Sequence, residues 1–129
     1  MKSLTPNEHQ IQAAMVEWSE AAAGTMPGLK LLYAVPNGGA RNLIVAKKLK
    51  AEGVKPGVPD LHLPVSRLGY HGLWIETKTK AGRVSPEQKE WHELLRREGH
   101  LVVVVRSALQ GIELMSGYLA GRLPPRPMA

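Results

Sequence analysis

The sequence predicts an α/β fold in which a partly parallel sheet is flanked by helices. Segments with helical spacing of apolar residues alternate with short apolar runs, in the order helix, strand, helix, strand, strand, helix, strand, helix. A helix between two strands of one sheet implies a crossover, which joins parallel strands. The 129 residues suit a single domain, and we expect residues 1–121 to form it, with 122–129 as a flexible tail.

The first predicted elements are a helix that begins near Thr5 and a buried strand. Thr5, Pro6 and Glu8 fit the N-cap, first and third positions of a capping box, and an apolar stripe runs on towards Gly24. On this pattern Glu8 is either only a capping residue or an acidic side chain at a site. The apolar run 29–35 predicts a buried strand that ends at Pro36.

The segment after this strand combines a glycine-rich turn with a basic helix. Asn37 is followed by two glycines, which can bring backbone N–H groups close to an anion, and Arg41 comes directly after them. Asn37 and Arg41 are therefore either loop and cap residues or phosphate contacts. The segment 43–52 has helical spacing, and its lysines are most simply a solvated face.

The stretch from Val58 to Lys80 predicts two adjacent strands joined by a polar turn. The first strand opens at Asp60, and Glu76 and Lys78 end the second on one shared face. If the strands pair as a hairpin, Asp60 lies near Glu76. The cluster is then either a surface ion pair or a site that combines two carboxylates with an amine.

The third helix has a clear N-terminal motif. Ser85 fits the N-cap, Pro86 the first position and Gln88 the third, and the inward face is predicted to contain Trp91, Leu94 and Leu95. The aliphatic run 101–105 predicts a strand that is covered on both faces. Ser107 caps a last helix, from 108 to about 119.

Charge and composition limit the class of protein. The net charge of +6 favours a polyanionic partner, with nucleic acid first. Basic residues flank the acidic candidates at Lys47, Lys48, Lys50, Lys55, Lys78, Lys80 and Arg83. The absence of cysteine excludes disulfides and thiolate metal sites. No segment resembles a signal peptide or a bilayer span, so we expect a soluble cytoplasmic protein.

Carboxylates and a lysine in a basic surround predict metal-assisted phosphodiester hydrolysis. Oxygen ligands of this kind suit Mg²⁺ or Mn²⁺, and Lys78 could orient the attacking water or offset negative charge. Zinc chemistry is disfavoured because the five histidines show no close pair at helical spacing. A lone histidine is more often a surface or structural residue.

At this point the motifs resemble a known family. Val58-Pro59-Asp60 followed by Ile75-Glu76-Thr77-Lys78 resembles the PD-(D/E)xK nuclease motif. Further blocks follow the same order: an early helix with Glu8 and Gln12, the turn 36–39 with Arg41, the lead-in 56–61, and Ser85-Pro86-Glu87-Gln88. Together, over about residues 5–105, they resemble the virus-type replication–repair nuclease (VRR-NUC) family, in particular its small stand-alone members from phages and prophages.

The resemblance implies a restriction-endonuclease-like core (αβββαβ) with a mixed sheet flanked by helices. It implies Asp60 and Glu76 as metal ligands, with the Thr77 backbone carbonyl as a candidate third. Lys78 is then the catalytic lysine, and Glu8 contributes directly or through water. Gln88 matches a glutamine typical of the family, which would orient Lys78, contact DNA or only cap its helix. The candidate DNA-binding residues are Asn37, Arg41, Lys80 and Arg83.

Similarity to Holliday-junction resolvases extends the expectation to substrate and assembly. It implies a homodimer in a bacterial host cell that cleaves branched DNA with Mg²⁺ or Mn²⁺. One alternative is a nicking or restriction-like nuclease without junction preference. Another is a DNA-binding module of the same fold that does not cleave, which is disfavoured because Asp60, Glu76 and Lys78 are all present. RNA binding is weaker still, since no aromatic-rich strand is present.

Overall fold

The computed structural model describes residues 5–36 and 43–127. The elements in chain order are α1 (Glu8–Ala22), a 3₁₀ helix (Pro27–Leu31), β1 (Tyr33–Ala34), α2 (Leu43–Ala51), β2 (Leu61–Leu63), β3 (Leu73–Thr77), α3 (Pro86–Arg97), β4 (Leu101–Val105) and α4 (Ala108–Leu119). The predicted α/β class and order of helices and strands are confirmed, with the 3₁₀ helix as an addition. The candidates Asn37 and Arg41 lie outside the described residues.

Helix α1 begins later than the sequence predicts. Its N-cap is Asn7, whose side chain accepts a hydrogen bond from Gln10 N at 2.8 Å, while Gln10 Oε1 accepts one from Asn7 N at 2.9 Å. Asn7 and Gln10 thus form the capping box that was predicted for Thr5 and Glu8. The interpretation of Glu8 as only a capping residue is wrong, and Glu8 is the first residue of the helix.

The predicted buried strand 29–35 is also wrong over most of its length. Its first half belongs to the 3₁₀ helix, where Pro27 stands in the first turn, and only Tyr33 and Ala34 pair with a neighbouring strand. Leu31 and Tyr33 are about half exposed, at 52% and 49%. Of the three leucines and one tyrosine in this run, only Leu29 is buried, at 3% exposure.

The four strands of the described chain form one mixed sheet in the order β1-β2-β3-β4. β1 pairs antiparallel with β2, and β2 antiparallel with β3, so β2 and β3 are the predicted hairpin. β3 and β4 are parallel, with Thr77 opposite Val105, and α3 makes the crossover between them. This confirms the predicted partly parallel sheet and matches the αβββαβ core, with α2 inserted between β1 and β2.

Helices α1 and α4 cover one face of the sheet. The buried core on this side consists of Ile11, Met15, Leu29, Leu61, Leu63, Leu73, Ile75, Val105, Met115 and Tyr118. The two helices approach closely at Gly111, where a β carbon would clash with Met15 Sδ. Because strand residues alternate, His62, Trp74 and Glu76 face the other side.

Helix α3 lies on that other side, and its cap is the predicted one. Ser85 Oγ accepts from Gln88 N at 3.2 Å, and Gln88 Oε1 accepts from Ser85 N at 2.8 Å. The inward face differs from the prediction, however. Leu94 is 46% exposed, and the buried residue of the helix is His92.

Two peripheral segments complete the description. None of the residues of α2 is buried, and Leu43 and Ile44 are each 69% exposed.

Residues 122–127, in the predicted tail, make specific contacts: Arg126 N donates to Leu68 O at 2.8 Å, and Leu123 packs against the core. The boundary at residue 121 stays a prediction. None of the described helices has the length and apolar composition needed to cross a bilayer.

Candidate active site

The β2–β3 hairpin brings Asp60 and Glu76 side by side. Leu61 pairs with Ile75, so Asp60 and Glu76 are the next facing positions of the two antiparallel strands. Asp60 Oδ2 accepts a hydrogen bond from Thr77 N at 2.8 Å, which holds its carboxyl group against the end of β3. The side chains of Asp60 and Glu76 are close enough to share a hydrogen bond. The predicted proximity of the two carboxyl groups is confirmed.

The segment before Asp60 is fixed by a close approach to α3. Gly57 has a φ of 95°, and a β carbon there would lie 2.7 Å from Glu87 O and 2.9 Å from Trp91 Cδ1. Any other residue would therefore be strained by its backbone conformation and by contact with the first turns of the helix. This explains the Pro-Gly lead-in of the motif, which positions Asp60 relative to α3.

Helix α3 supplies two polar partners to Glu76, which is 0% exposed. Gln88 Nε2 donates to Glu76 Oε2 at 3.3 Å, and His92 Nε2 is 3.2 Å from Glu76 Oε1. Residues four apart share one face of a helix, so both side chains reach the same carboxyl group. The amide of Gln88 thus caps its helix through Oε1 and contacts Glu76 through Nε2, so it does more than cap the helix, while its predicted roles towards Lys78 and DNA stay predictions.

The ionisation of this group follows from its surroundings. Burial raises the pKa of Glu76 to about 9, helped by the charge of Asp60 and the hydrogen bond to it, and opposed by the charge of Lys78. Burial, followed by the charges of Arg96 and Lys78, lowers the pKa of His92. A neutral His92 that donates its Nε2–H to Glu76 is the form that fits this geometry.

Lys78 completes the group on the same face of the chain as Glu76. It is only 7% exposed, and its charge acts on both Glu76 and His92. Its backbone N–H donates to Val105 O at 3.0 Å, which extends the pairing of β3 with β4 by one residue. A lysine buried to this degree is not part of a solvated surface ion pair, so the surface interpretation of this cluster is wrong.

A cleft of about 820 Å³ opens beside Asp60, between α1 and the segment 34–36. One face of α1 lines it with Glu8, Gln12 and Val16, and Glu17 and Glu20 lie further along. Because Asn7 and Gln10 cap the helix, the carboxylate of Glu8 is not engaged in the capping box. Its charge contributes to raising the pKa of Glu76, which places Glu8 within electrostatic range of the pair.

The donor set fits a divalent cation of the Mg²⁺ or Mn²⁺ type. Within the described ranges, no three histidine, aspartate or glutamate side chains converge on one ion position, so Glu8 does not join Asp60 and Glu76 in a triad. Mg²⁺ characteristically binds through one or two carboxylates and retains several waters. Asp60, which lines the cleft, and Glu76 in hydrogen-bond contact with it meet that requirement.

The remaining DNA-binding candidates lie on the loop between β3 and α3. Lys80 and Arg83 are both exposed there. The loop is held from the end of β4, where Arg106 Nη1 donates to Thr79 O at 2.8 Å and to Gly82 O at 2.7 Å. Arg106 did not figure among the sequence candidates, because nothing in its local pattern indicates which backbone carbonyls it meets.

His92 is the other residue that sequence reasoning missed. It was set aside with the other histidines because they form no pair at metal-ligand spacing. One signal was available: His92 follows Gln88 by four residues, so any helix face that turns Gln88 towards the sheet turns His92 towards it as well.

Comparisons with known proteins agree with this geometry. A model of the VRR-NUC domain family matches residues 2–109. A solved structure described as a "VRR_NUC domain protein" superposes with a TM-score of 0.75, at 30% sequence identity, over 90% of this chain and 90% of that chain. A search of curated proteins returned no significant match.

The mixed sheet flanked by helices, together with the family match, defines a nuclease-type domain, for which DNA is the implied substrate class. The chain belongs to the VRR-NUC family, since the match spans most of its length.

Proposed function

We propose that the protein is a metal-dependent DNA endonuclease that acts on branched DNA as a homodimer. The observation that carries this proposal is the contact of Asp60, which lines an open cleft, with the buried carboxyl group of Glu76, and the buried Lys78 beside them. The two carboxylates, with the Thr77 carbonyl as candidate third ligand, would hold Mg²⁺ or Mn²⁺. When bound, the ion would stabilise negative charge on the phosphoryl oxygens.

The chain's own residues have distinct proposed tasks. Lys78 orients the water that attacks phosphorus and offsets charge as the bond from phosphorus to the leaving oxygen breaks. Glu8, on the wall of the cleft, contributes through water rather than as a direct ligand, because no triad of side chains forms with it in the described chain. Lys80 and Arg83, exposed on the loop after β3, bind backbone phosphates.

The homodimer has support in the exposed face of α2. Leu43 and Ile44 are each 69% exposed and stand one turn from Lys47 and Lys48. Apolar side chains exposed to this extent on a helix with no buried residue are typical of a surface that meets a partner. A second copy of the chain is the partner that the proposed function requires, since two sites are needed for two strands of a junction.

The test uses the purified protein with a four-way junction, a flap and a linear duplex, in Mg²⁺, Mn²⁺ or EDTA. We expect cleavage that requires metal, prefers the junction and is lost in Asp60→Ala and Lys78→Ala. Cleavage that persists in EDTA, or that both variants retain, would contradict the mechanism. Equal cleavage of all three substrates would favour a nicking or restriction-like nuclease, and binding without cleavage in either metal would favour the non-cleaving module.

The assembly is tested separately by light scattering. The wild-type mass should be that of a dimer at assay concentrations, and Ile44→Glu should shift it towards the monomer. Lys50→Glu is the matched control, because it changes charge on the same helix without removing an apolar side chain. A wild-type monomer would contradict the paired-site proposal while leaving the cleavage chemistry intact.

A further inference from the structure

We propose that Arg106 is a positioning residue that fixes the loop 79–84 and so presents Lys80 and Arg83 to DNA phosphates beside the carboxylate pair. The inference rests on the proposed function, since it assigns these two side chains to DNA. It adds the residue directly after β4, which neither the motifs nor the family resemblance indicates.

The guanidinium of Arg106 acts on the loop's backbone. Nη1 donates to Thr79 O at 2.8 Å and Gly82 O at 2.7 Å, and it lies 3.4 Å from Lys80 O. These carbonyls come from three positions of one short loop that has no regular secondary structure. A planar guanidinium holds several acceptors in a fixed relative geometry, which a flexible ammonium does less well.

The position of Arg106 follows from the parallel pairing of β3 with β4. Thr77 is opposite Val105, and Lys78 N donates to Val105 O. The residue after β4 therefore lies beside the residues that follow β3. The backbone N–H of Arg106 donates to Gln110 Oε1 at 2.7 Å, which ties the clamping residue to the first turn of α4.

The loop in turn folds back over Lys78. Gly82 N donates to Thr79 O at 3.1 Å, and a β carbon at Gly82 would lie 3.5 Å from Lys78 Cδ and 3.0 Å from Thr79 Oγ1. The turn that Arg106 holds thus packs on the aliphatic stem of the lysine. We call the hydrogen bonds from Arg106 to the loop carbonyls the clamp. Loss of the clamp would make Lys80 and Arg83 more mobile and would also loosen the packing of the loop on Lys78.

A direct contact of Arg106 with phosphate is the competing explanation, because Arg106 is itself exposed. A double-mutant cycle separates the two roles. DNA affinity is measured in EDTA, so that no strand is cut, for wild type, Arg106→Ala, the double variant Lys80→Ala/Arg83→Ala, and the triple variant. Arg97→Ala is the charge-matched control, since Arg97 is an exposed residue that pairs with Glu93 on the same helix.

If Arg106 acts through the loop, Arg106→Ala weakens binding ~10-fold in the wild-type background and less than ~2-fold once Lys80 and Arg83 are gone. Arg97→Ala should change affinity less than ~3-fold. An equal loss in both backgrounds would overturn the inference in favour of direct contact. A wild-type protein that does not bind DNA would overturn the proposed function and the inference with it.

Hydrogen exchange gives a readout that does not depend on DNA. The amide of Gly82, hydrogen-bonded within the clamped turn, should exchange at least ~10-fold faster in Arg106→Ala than in wild type, with partial recovery in Arg106→Lys. Unchanged exchange at Gly82 would contradict the clamp. The melting temperature of each variant shows whether any change is local or reflects loss of the fold.

Discussion

Two neighbouring pairs of side chains share one face of β2 and β3 and have opposite physical character. Asp60 and Glu76 are two carboxyl groups in contact, one of them fully buried. Two residues away along each strand, His62 faces Trp74, and their rings stack at 3.8 Å with an interplanar angle of 8°. The backbone geometry is the same for both pairs, so the side chains alone decide what each pair does.

The difference distinguishes the pair that we propose to act in catalysis from a pair that stabilises the fold. Burial of a carboxyl group opposes folding, a second carboxyl group beside it adds to that cost, and the raised pKa of Glu76 reflects burial first and the charge of Asp60 second. The ring stack buries apolar surface, and it is extended by a hydrogen bond of 2.7 Å between the Tyr33 hydroxyl and His62 Nδ1. We infer that the stacked pair helps to hold the hairpin in the register that the carboxyl pair requires.

The largest expected effect is on cleavage, from a change in the carboxyl pair. Glu76→Gln should reduce cleavage in Mg²⁺ by ~10³-fold, because it removes a charged ligand from the proposed metal site. The same change should leave the free energy of unfolding in EDTA unchanged or higher, since a neutral amide avoids the cost of burying an ionisable carboxyl group beside Asp60. Cleavage assays and urea unfolding measure the two quantities.

Glu93→Gln is the matched control for this prediction, because Glu93 is an exposed glutamate on α3 that pairs with Arg97. It should leave both quantities unchanged. If Glu76→Gln lowered the free energy of unfolding by about 2 kcal/mol or more, the pair would be structural and the contrast between the two pairs would fail.

A change in the stacked pair of His62 and Trp74 should affect stability much more than cleavage. Trp74→Ala should lower the free energy of unfolding by about 2 kcal/mol, through loss of ring contact and buried apolar area. Cleavage per folded molecule should change far less than in Glu76→Gln, because Trp74 carries no ligand atom for the site. Urea unfolding and activity at low temperature test this, and a variant of unchanged stability but abolished cleavage would reverse the assignment.

The features of the fold and of the candidate site that the sequence predicted correctly are those whose interacting residues are close in sequence or follow directly from strand pairing. The caps of α3 and α4 were predicted correctly, because the N-cap residue and its partner lie within one turn of each other. The start of α1 was wrong because Thr5 and Asn7 are both good cap residues, and only the observed hydrogen bonds decide between them. The contact of Asp60 with Glu76 followed from strand alternation and hairpin pairing alone.

The failures concern contacts between distant segments. An apolar run such as 29–35 fits a buried strand, yet the tertiary structure leaves Leu31 and Tyr33 about half exposed. The inward face of α3 was assigned to Trp91, Leu94 and Leu95 by hydrophobicity. Trp91 and Leu95 are half-buried, but Leu94 is exposed, and the buried carboxyl group of Glu76 turns His92 inward. The sequence around a helix does not indicate which of its side chains will form a hydrogen bond with a buried polar group on another element.

A smaller effect is expected on metal affinity when His92 is changed, and it tests whether His92 belongs to the proposed metal site or only to the core. His92→Ala should weaken Mn²⁺ binding ~10-fold, because a partner that orients a ligating carboxylate contributes to metal affinity. His92→Gln, which retains a donor, should recover part of that loss. Calorimetric titration of the DNA-free protein measures the affinity, with His71→Ala as the histidine control, because His71 is exposed in the turn between β2 and β3. Unchanged affinity in His92→Ala would make His92 a packing residue only.

The smallest expected effect is the pH dependence that the stacked pair adds to stability. Burial, followed by the charge of His100, lowers the pKa of His62 to about 4, so the folded protein favours the neutral ring that bonds Tyr33 and stacks on Trp74. The unfolded chain takes up a proton near the ordinary histidine pKa of about 6.5. The contribution of His62 is therefore complete above that pH and is lost progressively as the pH falls towards 4.

His62→Phe keeps a flat ring opposite Trp74 and removes the titrating group. Urea unfolding between pH 7 and 4.5 should show a smaller decrease in the variant than in wild type, even if the variant is less stable at pH 7 through loss of the bond to Tyr33. Parallel pH profiles would mean that other groups determine the acid response. In that case the stacked pair would stabilise the hairpin through ring contact alone, and the contrast with the carboxyl pair would rest on packing rather than on ionisation.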